Sequence, residues 1–349
     1  MWNGLPLITA CAAGAGGSCK MGTLLRVEEV KKYFPISSGF IRKSVVDLKA
    51  VDNVSFTVEE GETLGLVGES GCGKTTLGKM LLKLYEPTAG KIFLGDQDVT
   101  HLRGFALGRY RKDIQAVFQN PYASLNPRMR IWKLIGEPLI TSGWARRKIS
   151  KKVAELLEMV GLPTNCGFRF PHEMSAGQRQ QIAIARALSI NPKFIVLDEP
   201  TSLLDVSAQA SILNLIAQLQ SKLKLTYLFI SHNLQVVRFV SNRVGVMYCG
   251  KLVELADSKI LYTAPKHPYT QALLASVPDP DPESAKEDIV LEGDVISPVN
   301  PPKGCRFHTR CRERMEICRE NEPPLAEIES GHLLACHLLS KLPIITRAC

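Results

Sequence analysis

One eight-residue stretch constrains this chain more than any other. Gly68-Glu69-Ser70-Gly71-Cys72-Gly73-Lys74-Thr75 fits G-x-x-x-x-G-K-[ST], with a short apolar strand (Thr63 to Val67) before it and a helical run (Leu77 to Leu84) after it. Strand, glycine-rich turn and helix in that order make a phosphate cradle. The glycines let backbone N–H groups turn inward around phosphate oxygens, and the helix beginning near Lys74 adds its positive dipole end. The spacing assigns Gly68, Ser70, Gly71, Cys72, Gly73, Lys74, Thr75 and Thr76 to the bound phosphates. Lys74 is expected on the β/γ-phosphates and the Thr75 hydroxyl on Mg²⁺. Cys72 also reads simply as a small residue facing the core.

A second motif supplies the carboxylates. Phe194 to Leu197 is a run of four apolar residues delivering Asp198 and Glu199 at its C-terminal end, where α/β folds bind ligands. Asp198 is expected to hold Mg²⁺, and Glu199, one residue further out, to polarise the attacking water. Together the motifs predict an ATPase of the P-loop type with ATP and Mg²⁺ as its ligands. Phe194 to Leu197 and Tyr227 to Ile230 suit parallel strands buried on both faces. Helical spacing dominates from Arg130 to Leu188. Ala50 to Val58 alternates like a strand of an antiparallel sheet. The predicted fold class is therefore α/β: a P-loop (RecA-like) core with an antiparallel β subdomain and an inserted helical subdomain at about 120–190.

Composition sets outer limits. The chain has 349 residues, 45% hydrophobic and 22% charged, as a folded globular protein does. No apolar run approaches the roughly 18–20 residues that cross a bilayer, so a membrane role has to come through partners. A formal charge of +9 spread over this length selects neither nucleic acid nor lipid. The clearest basic cluster, Arg146, Arg147, Lys148, Lys151 and Lys152, reads as a solvated helix face, with a surface near lipid head groups as the other reading. Ten cysteines without a credible secretory signal favour a reducing, cytoplasmic setting. Ile8-Thr9-Ala10-Cys11 imitates a lipoprotein cleavage site but lacks a basic segment before it. Residues 1–22 are expected to be a disordered leader, with Met21 as the natural start. Residues 23–264 form the expected nucleotide-binding domain. Prolines 278, 280, 282, 298, 301 and 302 mark a linker or an irregular extension, within the C-terminal extension expected over 265–349.

His172-Glu173-Met174-Ser175-Ala176-Gly177-Gln178-Arg179-Gln180-Gln181 resembles the signature segment of ABC (ATP-binding cassette) proteins, usually LSGGQ, departing from it at Met174 and Ala176. The resemblance implies that Ser175, Gly177 and Gln178, at a helix N-terminus, contact the γ-phosphate bound to a second subunit. Other elements of that family follow in order over residues 24–349. Phe34 matches the aromatic that stacks on adenine, with Tyr33 one residue away. Gln119 matches the Q-loop glutamine that approaches Mg²⁺ and the water. Asp205 matches the D-loop, with Leu203 where alanine is more usual. His232 matches the switch histidine on the γ-phosphate. Gln119 to Arg128 (QNPYASLNPR) and Lys266 to Leu274 (KHPYTQALL) resemble the dipeptide/oligopeptide/nickel branch.

That resemblance implies the motor subunit of a di/oligopeptide importer at the cytoplasmic face of the membrane. Its implied partners are two transmembrane permease subunits, a second ATPase subunit (a heterodimer, or alternatively a homodimer) and an extracytoplasmic substrate-binding protein, with no nucleic acid. The competing readings are a soluble ABC ATPase acting on DNA or ribosomes, and an importer of the same branch moving nickel or oligosaccharides. Near the C-terminus Cys305, Cys311, Cys318 and Cys336 are spaced C-x5-C-x6-C-x17-C. Four thiolates at that spacing can hold zinc, an iron–sulfur cube or nothing. The resemblance implies a [4Fe–4S] cluster of structural role.

Overall fold

The apolar runs become the centre of one large sheet. The computed structural model describes residues 22–38, 44–276 and 296–338. The expected leader, apart from residue 22, lies outside the described residues. Among the described residues twelve strands are β1 (Thr23–Ser38), β2 (Ser44–Glu59), β3 (Thr63–Val67), β4 (Ala89–Leu94), β5 (Gln97–Asp98), β6 (Ile114–Val117), β7 (Phe194–Asp198), β8 (Thr226–Ile230), β9 (Arg243–Tyr248), β10 (Lys251–Asp257), β11 (Ala326–Glu329) and β12 (His332–Leu334). They form an antiparallel sheet in the order β2-β1-β4-β5 and an eight-stranded sheet in the order β11-β12-β10-β9-β3-β8-β7-β6. In the larger sheet β6, β7, β8, β3 and β9 run parallel, and β10, β12 and β11 continue it antiparallel.

Alternate side chains of the parallel strands enter two different cores, which is why these strands read as unbroken apolar runs. Ile195, Leu197, Tyr227, Phe229, Val244 and Val246 join one core, built with the helices Ile131–Thr141, Arg146–Met159, Ala176–Leu188 and Val206–Leu223. Phe194, Val196, Leu228 and Ile230 join the other, which is closed by β1, β2, β4 and the helix Lys74–Leu81. Gly65 of β3 allows close packing on the first side. A Cβ there would come within 2.4 Å of Val237 Cγ1 on the helix Leu234–Val240.

The C-terminal part departs from the irregular texture expected of it. β12 pairs with β10, and β11 with β12, so the segment finishes the main sheet. These strands are three and four residues long, too short to show a period. Beneath them lies a buried polar cluster. Glu254 of β10, fully buried, accepts hydrogen bonds from the backbone N–H groups of Lys266 (2.8 Å) and His267 (3.0 Å) and faces His332 Nε2 at 2.8 Å. His267 Nδ1 in turn accepts from the Tyr269 N–H at 3.0 Å and caps the helix Pro268–Ala275.

Burial pushes the His267 imidazole down to about 4, against the partial opposing effect of Glu254. The folded value lies below the unfolded one, near 6.5, so the unfolded chain binds the extra proton between these limits. Stability associated with His267 is complete above about pH 6.5 and is lost as pH falls toward 4. The expected slope is at most about 1.4 kcal/mol per pH unit. Urea unfolding midpoints of the full chain from pH 7.5 to 4.5 should show it. His267→Asn, which keeps a capping oxygen without a titrating group, should flatten it; an unchanged slope would remove His267 from this role.

Candidate active site

The phosphate loop leaves β3 through glycines that no other residue could replace without strain. Gly68 has φ +146° and Gly73 φ +109°, and a Cβ on either would come within 2.1–2.2 Å of a backbone oxygen, of Met247 or Ala50 respectively. Gly73 is the N-cap of the helix Lys74–Leu81, so the loop's last turn and the helix's free N–H groups face the same space. Lys74 lies across the loop, its Nζ donating to the carbonyls of Gly68 (2.7 Å) and Glu69 (3.0 Å). Cys72 is buried, with Sγ 3.5 Å from that ammonium, and burial pushes its thiol up. It is a packed residue of the loop, as the plainer reading had it.

Thr75 Oγ1 donates to Asp198 Oδ1 at 3.1 Å. Burial, reinforced by the neighbouring Glu199, raises the Asp198 carboxyl above its ordinary range despite the Thr75 bond. A hydroxyl beside one carboxylate is the hard-oxygen donor set that Mg²⁺ shares with phosphate oxygens, so these residues fit that ion. Glu199 follows with φ +48°, its N–H bonded to the Ile230 carbonyl at 2.9 Å. A left-handed backbone is strained for a residue with a side chain, and strain of this kind gathers at functional sites. Gln119 Nε2 donates to Glu199 Oε2 at 2.8 Å, and His232 Nδ1 lies 3.0 Å from Glu199 Oε1. Residues 80 and 33 positions from Glu199 thus meet on one carboxylate.

The two aromatic candidates separate. The Tyr33 hydroxyl donates to Asp52 Oδ1 at 2.5 Å, while Phe34, half-buried, meets Tyr85 edge-on at 5.4 Å between centroids. Tyr33 is therefore committed to a structural contact. The signature residues open the helix Ala176–Leu188 with a reciprocal cap. Ser175 Oγ accepts from the Gln178 N–H at 3.2 Å, and Gln178 Oε1 accepts from the Ser175 N–H at 3.0 Å. Asp205 caps the helix Val206–Leu223 through Ala208 at 2.8 Å. Among the described residues no hydrogen bond joins Ser175, Gly177, Gln178 or Asp205 to the phosphate loop or Glu199.

The four late cysteines gather without closing. The Cys305 N–H donates to the Cys318 carbonyl at 2.9 Å. Burial first, and then the other thiols nearby, push Cys311 up to about 11 and Cys305 up to about 12. Four soft sulfur donors suit iron–sulfur or zinc chemistry. Their arrangement does not enclose an ion, because among the described residues no group of three or more His, Cys, Asp or Glu side chains is placed to hold a metal.

Two residues that hold the loop from the C-terminal part have no role assigned by the sequence. Arg310 Nη1 donates to both carboxylate oxygens of Glu69, at 3.1 and 2.9 Å, and the Tyr269 hydroxyl accepts from the Glu69 N–H at 2.9 Å. Tyr269 stands inside the KHPYTQALL stretch, which carried a family pattern but no role for that tyrosine.

Comparison with known proteins bears on the family of the chain. Residues 51–202 match the ABC transporter family, and residues 253–318 match the oligopeptide/dipeptide transporter C-terminal region. The oligopeptide transport ATP-binding protein AppF of Bacillus subtilis is 53% identical over 91% of this chain and 98% of its own length. A probable peptide ABC transporter ATP-binding protein of Sinorhizobium fredii is 46% identical over 90% of both. Among solved structures, the ATP-binding cassette MJ0796 in a dimeric, post-hydrolysis state bound to ADP and Pi is 27% identical with a TM-score of 0.59, over 67% of this chain and 98% of that one. No helix among the described residues is long and apolar enough to cross a membrane.

Proposed function

This chain belongs to the ABC transporter ATP-binding proteins, in the branch with the oligopeptide/dipeptide C-terminal region, and from that premise we propose that it is the ATP-hydrolysing motor of a di/oligopeptide importer. The observation carrying the catalytic half is the convergence of Gln119 and His232 on Glu199, one residue from the Thr75–Asp198 pair. The loop's N–H groups and Lys74 bind the β- and γ-phosphates, and Phe34 packs on the adenine. Thr75 and Asp198, with Gln119 near them, would hold Mg²⁺, which when bound would offset charge on the transferring phosphoryl group. Glu199 orients the attacking water and draws off its proton, while His232 holds the γ-phosphate.

Ser175, Gly177 and Gln178 act on the nucleotide of a second ATPase subunit, with Asp205 beside them. Their capped helix end, apart from this chain's own loop, supports such a shared site. With the substitutions at Ala176 and Leu203, a heteromeric pair is the favoured arrangement. Two permease subunits, contacted near Gln119, and an extracytoplasmic binding protein complete the assembly, which places this subunit at the cytoplasmic membrane face. A [4Fe–4S] cluster on Cys305, Cys311, Cys318 and Cys336 is the finer reading of the C-terminal module. It rests on the family resemblance and the C-x5-C-x6-C-x17-C spacing, not on the side-chain placement, which among the described residues does not enclose an ion. An anaerobic preparation without stoichiometric iron would rule it out.

The decisive experiment is ATPase activity of the full chain, alone and with reconstituted peptide-permease subunits and a peptide-loaded binding protein. Stimulation by the complete assembly is expected. Stimulation by DNA or ribosomes with indifference to the permease would transfer the protein to the soluble class.

A further inference from the structure

The nucleotide site and the C-terminal module are tied through one residue of the phosphate loop. Glu69 occupies a variable position of the motif, yet three groups hold it. Its carboxylate is gripped by Arg310 at 2.9 and 3.1 Å, its N–H by the Tyr269 hydroxyl at 2.9 Å, and its carbonyl by Lys74 Nζ at 3.0 Å. The Arg310 side chain is only 6% exposed; its Nη1 also lies 3.5 Å from the Tyr248 hydroxyl, and among the described residues its Nε has no hydrogen-bond partner, so Glu69 is the guanidinium's principal counter-charge. Arg310 reaches the loop across an aromatic wedge. Phe307, buried, lies 5.2 Å from the Tyr248 ring and 5.3 Å from the Tyr269 ring, and those two rings are 4.6 Å apart. Phe307 and Arg310 both stand between Cys305 and Cys311.

We propose that Arg310 and Tyr269 are positioning residues for the phosphate loop, setting through Glu69 the geometry in which Lys74 and the loop's N–H groups meet ATP. The C-terminal module thereby sets the affinity for MgATP. This rests on the nucleotide-site reading above and adds to it a control point outside the catalytic motifs. Because Glu69 touches Lys74 through its carbonyl, loosening the clamp displaces the loop without removing any group that contacts the phosphates. The expected defect is therefore in binding rather than in the chemical step.

The test is MgATP affinity and steady-state ATPase of the full chain. Arg310→Gln should raise the dissociation constant about tenfold, the scale of one lost charge-assisted hydrogen bond, and leave kcat within about twofold. Glu69→Gln should do the same, the double variant should be no worse than either single one, and Arg310→Lys should restore part of the affinity. Unchanged affinity in a folded Arg310→Gln protein, or fully additive effects of the two changes, would overturn the proposal. Should Arg310→Gln not accumulate as folded protein, Tyr269→Phe decides, since it removes a single hydroxyl. A rise of about threefold in the dissociation constant, on the order of one weak neutral hydrogen bond, supports the clamp. No change in that variant refutes it. Lys74→Ala separates the two levels. If wild-type protein binds no MgATP, or Lys74→Ala binds it equally well, the nucleotide-site reading itself fails. If binding is lost in Lys74→Ala and intact in Arg310→Gln, only the clamp fails.

Discussion

Glu199→Gln lowers steady-state ATP hydrolysis by roughly 10²–10⁴-fold, the range for losing one general base, and leaves MgATP binding at wild-type strength. The geometry makes this a clean substitution. A glutamine carbonyl at this position still accepts from Gln119 Nε2, now 2.8 Å from the Glu199 carboxylate, and its amide can face His232 Nδ1, now at 3.0 Å. The backbone here, at φ +48°, keeps its N–H bond to the Ile230 carbonyl whichever of the two side chains it carries. What disappears is the negative charge that takes the proton from water. Single-turnover hydrolysis read beside equilibrium MgATP binding separates the two effects. Unimpaired hydrolysis would remove Glu199 from the role of base, and a matching loss of binding would mean that the carboxylate is needed to shape the pocket instead.

The parts of this site that the sequence disclosed are those where local chemistry leaves few alternatives. Gly68 and Gly73 had to be glycine because backbone oxygens stand where a Cβ would lie. Asp198 and Glu199 were legible because four apolar residues before them predict a buried strand, and a strand's C-terminal end is where such folds bind. Ser175 and Gln178 form a pattern that also reads as a helix cap, and the structure shows that cap directly. The family pattern favours Phe34 over Tyr33 by one residue; what the sequence does not reveal is the partner of Tyr33, Asp52, 19 residues away on the next strand. What stayed illegible were the contacts across the fold that no motif announced. Arg310 meets Glu69 over 241 residues and Arg306 meets Asp52 over 254. No periodicity links such pairs. The strands β11 and β12 stayed hidden because a strand three or four residues long has no measurable alternation.

Asp52→Ala lowers the unfolding free energy by about 3–5 kcal/mol, as expected when one partner of a buried ion pair is removed and the other is stranded. Asp52 and Arg306 are 7% and 6% exposed, and their side chains are joined by a hydrogen-bonded ion pair. Arg306 also donates to the Cys249 carbonyl, and Lys251 Nζ lies 3.5 Å from the Asp52 carboxylate. Burial alone would raise the Asp52 carboxyl; the Tyr33 hydroxyl, Lys251 and Arg306 reverse that and hold it below its ordinary range. Its folded value is thus depressed, so its contribution is present at neutral pH and is lost as pH falls through the carboxylate range. The alanine variant should accordingly be weak at pH 7 and differ least from wild type in acid. Lys251 keeps Glu322 at 2.5 Å when Asp52 is gone, whereas Arg306 keeps one carbonyl. The stranded charge is therefore the arginine's. Denaturant midpoints at pH 7 measure the effect, and Arg306→Met paired with Asp52→Ala should recover much of the loss, because no buried charge then remains unpaired. A single-variant loss below about 1 kcal/mol, the scale of an exposed pair, would mean that water reaches Arg306. The joint between the first sheet and the C-terminal module would then be looser than this ion pair implies.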